Sequence, residues 1–389
     1  MFKRDIEDII KKLKSKYQVI IITGPRQSGK TTLAKKIFSY LNYVNLEEID
    51  IRNYAIQDPR GFLKDYGTKV VIDEIQRAPQ LLSYIQVEVD NNKKSFFVLT
   101  GSNQFEMMSN ISQSLAGRCL VLKLLPFSIN EVQRKYSNLD SDTLILKGFY
   151  PKIYDKKINP SVFYSSYIST YLERDLRLLT NVKDLYTFEK FLKISAGRIG
   201  SILNLDSIAN DVGVSHTTIK SWLNILQASY IIFFLPPYHK NLSKRLIKSP
   251  KIYFYDVGLC CYLLGISDKR QLFRDPLRGA LFENLVISEF MKIKYNYLKN
   301  FNLFFYRDSN GTEIDLFIQY GLKITPIEIK SSKTFNEDFT KNLEKTHKIF
   351  KEIYSMPTVI YDGNIQQKRN NLMVINLSNI SHLLKEIYN

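Results

Sequence analysis

The chain has 389 residues, 44% of them hydrophobic and 24% charged, which is typical of a folded globular protein and argues against a disordered chain. Because one core rarely organises more than about 250–300 residues, this length predicts two or three domains. The 55 Lys and Arg residues outnumber the 38 Asp and Glu residues and give a formal charge of +17. This excess favours a polyanionic partner, nucleic acid before membrane, although AT-rich coding that enriches Lys is an alternative explanation.

Cysteine usage and hydropathy bear on the compartment. Cys119, Cys260 and Cys261 have neither metal-binding spacing nor the pattern of a disulfide framework, which indicates a reducing environment. The first residues lack the apolar run of a signal peptide, and the longest uncharged apolar runs are too short to span a bilayer. We therefore expect a cytoplasmic protein without a membrane partner.

A glycine-rich motif follows a helical pattern over Asp5–Lys16 and an apolar strand over Tyr17–Ile22. It fills every fixed position of G-x-x-x-x-G-K-T between a strand and a helix, a context that disfavours a chance glycine turn. Its backbone N–H groups can cradle phosphate, Lys30 can charge-pair with the terminal phosphates, and Thr31 can offer a hydroxyl to Mg²⁺. The residues expected to bind the nucleotide are Gly24, Pro25, Arg26, Gln27, Ser28, Gly29, Lys30, Thr31 and Thr32.

Two acids end a later apolar strand. A short strand at Tyr43–Leu46 is followed by the strand Lys69–Asp73, after which comes Glu74. Buried parallel strands bring their carboxyl ends to the edge of the sheet where the phosphate loop lies. At that edge Asp73 would hold Mg²⁺ through water, and Glu74 would polarise the attacking water.

Polar residues also follow the next strand, Ser95–Leu99. Ser102 or Asn103 is expected to sense the terminal phosphate, with an ordinary strand-ending turn as the alternative. Arg118 precedes a further strand and is a candidate arginine finger for a neighbour's nucleotide, which implies a homo-oligomer. The alternative for Arg118 is a solvated cation at a helix end.

The runs GPRQSGKTTLAKKI, VVIDEIQRAP, LTGSN, SLAGR and LPFSINE together resemble the AAA-type ATPases, in the branch usually paired with a C-terminal domain of unknown function called DUF4143. The later stretch HKNLSKRLIKSPKIYFYDVGLCCYLLGI resembles the DUF4143 pattern. The resemblance covers nearly the whole chain and implies that the nucleotide is ATP. It also implies that Asp73 and Glu74 form the second nucleotide motif, that Ser102 or Asn103 is the sensor, and that Arg118 is the finger.

In the middle of the chain, the spacing of apolar residues predicts a helix over Phe163–Leu179. It then predicts a helix-turn-helix over Leu205–Ala228, with its turn at Gly213 and caps at Asp206 and Ser215. The second helix would expose polar side chains that suit a major groove, although a purely structural element is the alternative. These side chains are His216, Thr217, Lys220 and Ser221.

Two predicted strands of a winged helix, Ile231–Leu235 and Ile252–Tyr255, enclose a basic segment that contains no acid. Such a segment favours contact with DNA phosphates. Its cations are Lys240, Lys244, Arg245, Lys248 and Lys251.

Near the C-terminal end, a predicted helix from Gly279 carries Glu283, and two predicted strands carry Asp315 and then Glu328 with Lys330. This order resembles the PD-(D/E)XK nuclease core. Asp315 and Glu328 could bind Mg²⁺, Glu283 could complete the ligand set, and Lys330 could orient the attacking water. The alternative is a set of surface acids in a binding domain that does not cut.

Together these patterns predict an α/β protein with a P-loop NTPase parallel sheet, a helical and winged-helix region, and a C-terminal α/β domain like that of restriction endonucleases. The expected domains are 1–150 (ATPase), 151–195 (helical connector), 196–270 (winged-helix-like) and 271–389 (nuclease-like). The expected function is Mg²⁺-dependent ATP hydrolysis that acts on DNA, with a nuclease-like domain under its control. The alternative is an ATP-gated switch that binds an unidentified protein partner.

Overall fold

The computed structural model describes residues 2–102, 114–137, 139–172, 185–239, 248–369 and 371–388. Contacts between residues divide the chain into two compact units. The first unit contains Met1–Phe127, Leu226–Ile231 and Tyr295–Leu298, and the second contains Ser128–Ile225, Ile232–Lys294 and Lys299–Asn389. The sequence-based boundaries at residues 150, 195 and 270 remain predictions. No helix within the described ranges is long and apolar enough to cross a membrane.

A five-stranded parallel sheet forms the centre of the first unit, in the order β2-β3-β4-β1-β5. Its strands are β1 (Val19–Thr23), β2 (Asn42–Asn45), β3 (Lys69–Asp73), β4 (Phe96–Gly101) and β5 (Cys119–Lys123). The helices of this unit are Glu7–Leu13, Lys30–Ile37, Ile49–Gln57, Pro59–Tyr66 and Leu81–Asn91.

Strand β1 lies between β4 and β5 in the sheet, and both of its faces are buried. Its successive side chains alternate between two apolar clusters: Val19 and Ile21 join one, and Ile20 and Ile22 join the other. A strand that faces two cores must be apolar at every position, which explains the unbroken run of isoleucines. The carboxyl end of β1 then delivers the chain directly into the glycine loop.

Short helices fill the beginning of the second unit, and the predicted pair of helices is present with its turn at Gly213 (φ +89°). Asn204 caps the first of the pair by accepting from Ser207 N, so the predicted cap at Asp206 is wrong, and Asp206 lies in the first turn. Ser215 Oγ accepts from Thr218 N at 3.1 Å, as predicted for the second helix. The helices of this part are Ile129–Gln133, Ser141–Lys147, Pro151–Asp155, Pro160–Tyr167, Leu185–Gly197, Leu205–Val212, His216–Ala228, Val257–Leu263 and Lys269–Arg274.

The helix predicted over Phe163–Leu179 is only partly described. The α-helix Pro160–Tyr167 continues as a π-helical turn over Ile168–Leu172, and the later residues lie outside the described ranges. Downstream, β6 (Ile232–Leu235) and β7 (Lys251–Phe254) pair in an antiparallel ladder, as expected for the two predicted strands.

A six-stranded mixed sheet completes the second unit, in the order β12-β13-β11-β10-β9-β8. Its strands are β8 (Asn302–Arg307), β9 (Glu313–Tyr320), β10 (Lys323–Lys330), β11 (Thr358–Tyr361), β12 (Gln367–Arg369) and β13 (Leu372–Asn376). The helices Lys341–Phe350 and Ile380–Tyr388 belong to the same unit, as does the helix Arg278–Asn296 up to Lys294. The antiparallel hairpin of β9 and β10 is what brings the predicted acids of these two strands together.

The helix Arg278–Asn296 is tied to β7 by one buried amide. The Asn284 side chain accepts from Phe254 N at 2.7 Å and donates to Phe254 O at 3.0 Å, and Asn284 is fully buried. Asn284→Leu should leave both backbone groups unpaired, at a cost of about 1–3 kcal/mol for each. We expect a clearly lower midpoint of thermal unfolding, while Asn300→Leu at an exposed position should leave it nearly unchanged. Equal midpoints for the two variants would remove the structural role given to Asn284.

Candidate functional site

The predicted phosphate loop has the backbone that its sequence requires. Gly24 (φ +151°), Gln27 (φ +60°) and Gly29 (φ +95°) all have positive φ, and a side chain at Gly24 would meet Leu124 O at 2.1 Å. The helix that follows begins at Lys30 and has no side-chain cap on its first turn. Its first N–H groups are therefore left for a ligand, and a helix N-terminus favours an anion.

Two buried polar atoms in the loop, Gln27 Oε1 and Ser28 Oγ, have no hydrogen-bond partner among the described residues. Lys30 Nζ donates to the loop carbonyls of Gly24 and Pro25, at 3.0 and 2.8 Å. A bound phosphate chain would offer acceptor oxygens to Lys30 Nζ and to the Ser28 hydroxyl, whereas Gln27 Oε1 is itself an acceptor and needs a different partner. The residues present therefore fit a nucleoside phosphate.

Asp73 connects the loop to the rest of the sheet. Its carboxylate accepts from the Thr31 hydroxyl at 2.9 Å, from the Tyr43 hydroxyl at 2.7 Å and from the Thr100 hydroxyl. Burial, together with the hydrogen bond to Asp73, raises the pKa of Tyr43. A carboxylate and a threonine hydroxyl side by side offer the hard oxygen ligands that Mg²⁺ prefers.

Glu74 follows with a left-handed backbone (φ +58°), an uncommon conformation for a residue other than glycine. Its N–H donates to Thr100 Oγ1 at 3.3 Å, and its carboxylate accepts from Gln76 Nε2. Gln76 Nε2 also lies 3.4 Å from Ser102 Oγ. The predicted water-polarising acid and the predicted sensor are thus joined through Gln76, while Asn103 lies outside the described residues.

Sequence reasoning missed four residues around this site: Arg4, Tyr43, Gln76 and Thr100. Arg4 donates to Ser28 O at 2.8 Å and to Leu125 O at 2.7 Å, which fastens the loop to the chain after β5. Gln76 and Thr100 lie inside sequence runs that carried the family resemblance, so their positions were available as a signal. Arg4 and Tyr43 carried none, because only the fold brings them to the loop.

Arg118 lies at the amino-terminal end of the parallel strands, whereas the phosphate loop lies at their carboxyl end. The Arg118 guanidinium pairs with Asp90 at 2.7 Å, and the next residue, Cys119, is in register with Val19 at the start of β1. The loop follows the last residue of β1, roughly 15 Å away at about 3.3 Å per residue. Arg118 therefore does not reach the loop of its own chain, and its predicted role requires a neighbouring copy.

The helix-turn-helix pair buries the side chains expected to form its core and exposes the four polar ones expected to face outwards. Ile208, Val212, Ile219 and Trp222 are buried. The exposed residues are His216, Thr217, Lys220 and Ser221. In the basic segment Lys248 is exposed, while Lys240, Lys244 and Arg245 lie outside the described residues.

The structure contradicts the expectation that Lys251 contacts DNA phosphates together with the rest of the basic segment. Lys251 is 4% exposed, and its Nζ lies 2.6 Å from Glu313 and 3.5 Å from Glu283. Burial disfavours its charge, but the nearby carboxylates of Glu283 and Asp315 outweigh this and raise its pKa. The sequence pattern could not show this, because the acids lie on other elements.

The predicted C-terminal quartet comes together around the hairpin of β9 and β10. Lys330 Nζ lies 2.5 Å from Glu328 and 3.5 Å from Asp315, and Asp315 Oδ2 accepts from Ile329 N at 2.7 Å. Glu283 accepts from the Tyr253 hydroxyl and faces Lys251. The group also contains Glu313, which the prediction omitted.

Electrostatics in this carboxylate cluster (Glu283, Glu313, Asp315 and Glu328) disfavour full ionisation. Burial and then Asp315 raise the pKa of Glu328 to about 8 and that of Glu283 to about 7. Burial also opposes the charge on Lys330, but Asp315 and Glu328 raise its pKa. Full ionisation would place four carboxylates around three cations, Lys251, Lys330 and Arg307, an excess of negative charge that bound protons or a metal cation would relieve.

Glu328 is 2% exposed, and no group in the described part of the chain forms a hydrogen bond with its Oε1 atom. Within the described ranges, no three His, Cys, Asp or Glu side chains are grouped so as to hold a metal ion between them. Mg²⁺ commonly uses one or two carboxylates and takes its other ligands from water and phosphate. Asp315 and Glu328 fit that pattern, and the ligand role of Glu283 remains a prediction.

Three family models match consecutive parts of the chain. The AAA domain matches residues 16–133, a domain of unknown function (DUF8612) matches 138–270, and a domain of unknown function (DUF4143) matches 278–380. The stretch from His239 to Ile266 was expected to belong to DUF4143 because of its resemblance to that pattern. It lies instead within the DUF8612 match.

Among curated proteins, the chain is 29% identical to an uncharacterized protein of Mycobacterium tuberculosis, over 85% of this chain and 74% of that one. It is 23% identical to an uncharacterized protein of Methanocaldococcus jannaschii, over 93% and 87% of the two chains. Among solved structures, a Walker-type ATPase of Pyrococcus abyssi aligns with a TM-score of 0.47 and 14% identity, over 68% of this chain and 96% of that one.

The parallel sheet, the phosphate loop and the family matches agree with one another. Residues 16–133 are therefore similar to the AAA-type P-loop proteins, and residues 278–380 are similar to the DUF4143 domain.

Proposed function

We propose that the chain is a Mg²⁺-dependent ATPase that acts on DNA. The observation that carries the ATPase part of this proposal is the 2.9 Å contact between the Thr31 hydroxyl and the Asp73 carboxylate, directly after the phosphate loop and beside Glu74. Such a contact supports a site in which one face binds phosphate and the other binds a cation.

The residues in and around the phosphate loop would each contribute to binding the nucleotide and Mg²⁺. The N–H groups that follow Gly29 would hold the phosphate oxygens, and Lys30 Nζ would exchange its two loop carbonyls for them. Thr31 and Asp73 would hold Mg²⁺, which when bound neutralises the charge on the phosphates. Arg4 keeps the loop in place by its bonds to Ser28 O and Leu125 O.

Glu74 would orient the attacking water and attract its proton. Its left-handed backbone turns the chain sharply after β3, and Thr100 fixes that turn through the Glu74 N–H. Gln76 is bonded to the Glu74 carboxylate and lies near Ser102, so the carboxylate must exchange Gln76 for water during turnover.

Substitutions in the loop and at Glu74 separate binding from hydrolysis. Lys30→Ala should abolish binding of a fluorescent ATP analogue, because it removes the charge that faces the phosphates. Glu74→Gln should bind the analogue normally and lower the rate of Mg²⁺-dependent phosphate release by about 100-fold or more. Glu352→Gln, at an exposed position in the second unit, is the matched control. Wild-type turnover by Glu74→Gln would contradict the mechanism.

The DNA part of the proposal depends on two features of the second unit. The second helix of the helix-turn-helix exposes His216, Thr217, Lys220 and Ser221, and the basic segment follows β6 along the chain. Phosphate contacts by lysine and arginine supply most of non-specific DNA affinity. Lys251 is excluded from that surface because it is buried among carboxylates.

A salt titration tests this surface. The triple variant Lys244→Ala, Arg245→Ala and Lys248→Ala should weaken binding to a 20-base-pair duplex and lower the slope of log K against log salt by about 3. The matched control replaces Lys345 and Lys348, which are exposed on another helix, and Lys351, which is exposed directly after that helix. If no duplex binding is detectable at low salt, with or without ATP, the chain is better explained as an ATP-gated switch that binds a protein partner.

A second activity is favoured by the carboxylate cluster. Asp315, Glu328 and Lys330 converge, and one buried oxygen of Glu328 has no hydrogen-bond partner within the described ranges. We propose that this group holds a divalent cation and hydrolyses phosphodiester bonds under control of the ATPase. Lys330 would position the attacking water, whose oxygen bonds to phosphorus as the bond to the leaving oxygen breaks.

Asp315→Asn should abolish Mn²⁺-dependent cleavage of DNA and weaken Mn²⁺ binding measured by calorimetry, whereas Asp338→Asn at an exposed turn should change neither. Because Glu328 has a pKa raised to about 8 and binds a cation only when ionised, Mn²⁺ affinity should rise with pH up to about 8. Cleavage that survives Asp315→Asn, or Mn²⁺ affinity that does not change with pH, would leave a domain that does not cut.

A further inference from the structure

A groove in the first unit lies at the edge of the sheet opposite the phosphate loop. Its lining includes Gln18 just before β1, Lys69 at the start of β3, and Ser95 with Phe96 at the start of β4. The groove has a volume of about 420 Å³, within the range of pockets that bind small organic groups. About 15 Å of β-strand separates it from the nucleotide loop, so the two sites are distinct.

The groove is strongly basic. Five lysines line it and no acid does, the lysines being Lys14, Lys16, Lys69, Lys93 and Lys94. None of them forms a salt bridge with a side chain in the described part of the chain. Elsewhere in the same unit, by contrast, Lys36 pairs with Glu7 and Arg118 pairs with Asp90. Lys93 interacts electrostatically with Asp90, a carboxylate that itself pairs with Arg118, so the groove keeps an excess of positive charge.

Aromatic rings lie among these lysines. Tyr17, Tyr40 and Phe96 line the groove, and Tyr40 is 62% exposed. Lys14 Nζ lies 5.2 Å from the centre of the Tyr40 ring, and Tyr40 and Phe96 both pack near Phe38. Tyr40 lies near a buried ring and a lysine yet stays largely exposed, so it offers a surface on which a flat ligand can stack.

The floor of the groove is fixed by hydrogen bonds. Gln18 Nε2 donates to Asn92 O at 2.9 Å and to Ser95 O at 3.3 Å, which ties the start of β1 to the turn before β4. Glu88, on the preceding helix, accepts from Ser95 Oγ at 2.8 Å. The groove is thus a formed feature of the sheet edge.

We propose that this groove binds single-stranded nucleic acid, with lysines on the phosphates and a base against Tyr40. Basic grooves with interleaved aromatic side chains bind single strands because the charges follow the backbone and the rings stack on bases. A duplex could contact the lysines but keeps its bases in the helical stack, and an acidic peptide has no base to place on the ring. The proposal does not depend on DNA contact by the second unit, since the groove lies entirely within the first.

The test measures binding of the full chain to fluorescein-labelled dT12 and to a 12-base-pair duplex by anisotropy. The groove variant combines Lys16→Gln, Lys69→Gln and Lys94→Gln, and the control variant combines Lys11→Gln, Lys12→Gln and Lys64→Gln, exposed lysines of the same unit outside the groove. The groove variant should bind dT12 about tenfold or more weakly and lower the salt slope by about 2. The control should change the affinity less than twofold.

Tyr40→Ala provides the second arm. It should weaken dT12 binding by roughly fivefold or more while leaving duplex binding unchanged, because only the single strand stacks. Equal losses in the groove and control variants, or an unchanged dT12 affinity in Tyr40→Ala, would overturn the proposal. Displacement of dT12 by polyglutamate at equal charge concentration would instead assign the groove to an acidic protein. The Lys244, Arg245 and Lys248 variant should keep its dT12 binding in the groove, which separates this result from the test of the second unit.

Discussion

The Asp73 carboxylate is the constraint on which the nucleotide site depends. It is 4% exposed and accepts from hydroxyls of Thr31, Tyr43 and Thr100, which lie on three different elements. A buried carboxylate is costly unless it is hydrogen-bonded, so these three hydroxyls must be present together. Satisfying one charge in this way fixes the first helix after the loop against β2, β3 and β4.

The same requirement explains why Glu74 can keep a strained backbone. Its N–H is held by Thr100, the residue that also donates to Asp73, so one hydroxyl stabilises the turn that aims Glu74. Uncommon backbone conformations persist where the surroundings determine them, and they often occur at functional sites. The loop, Asp73 and Glu74 therefore form one polar network, in which Gln76 connects the acid to Ser102.

In the second unit, buried carboxylates are compensated mainly by lysines rather than by hydroxyl groups. Around the β9–β10 hairpin, carboxylates and lysines are buried together, and the lysines do not fully offset the acids. The result is a pair of acids, Glu283 and Glu328, whose pKa values are raised towards neutrality by burial and by Asp315. A network of this kind is poised to take up either protons or a cation, which is why its pH response and its metal response are linked.

Much of the fold could be predicted from the sequence because the patterns that indicate it involve residues close together in the chain. The phosphate loop, the isoleucine run of β1, the acid-ended β3 and the turn at Gly213 each depend on residues close together in the chain. Strands Glu313–Tyr320 and Lys323–Lys330 also appeared at nearly their predicted positions, since alternation along a strand sets which side chains share a face. Asn103, Lys244 and Arg245 lie outside the described residues, so their predicted roles remain predictions.

The sequence alone determined the kind of chemistry at the loop, because a glycine turn followed by Lys30 and Thr31 has the same consequence wherever a strand feeds a helix. Only the tertiary structure decided which distant groups complete each site. Tyr43 and Arg4 reach the loop, Lys251 leaves the basic segment for the carboxylates, and Arg118 lies at the edge opposite the loop. These placements depend on sheet order and strand register, and such long-range pairings leave no periodic trace in the chain because the partners are separated by tens of residues.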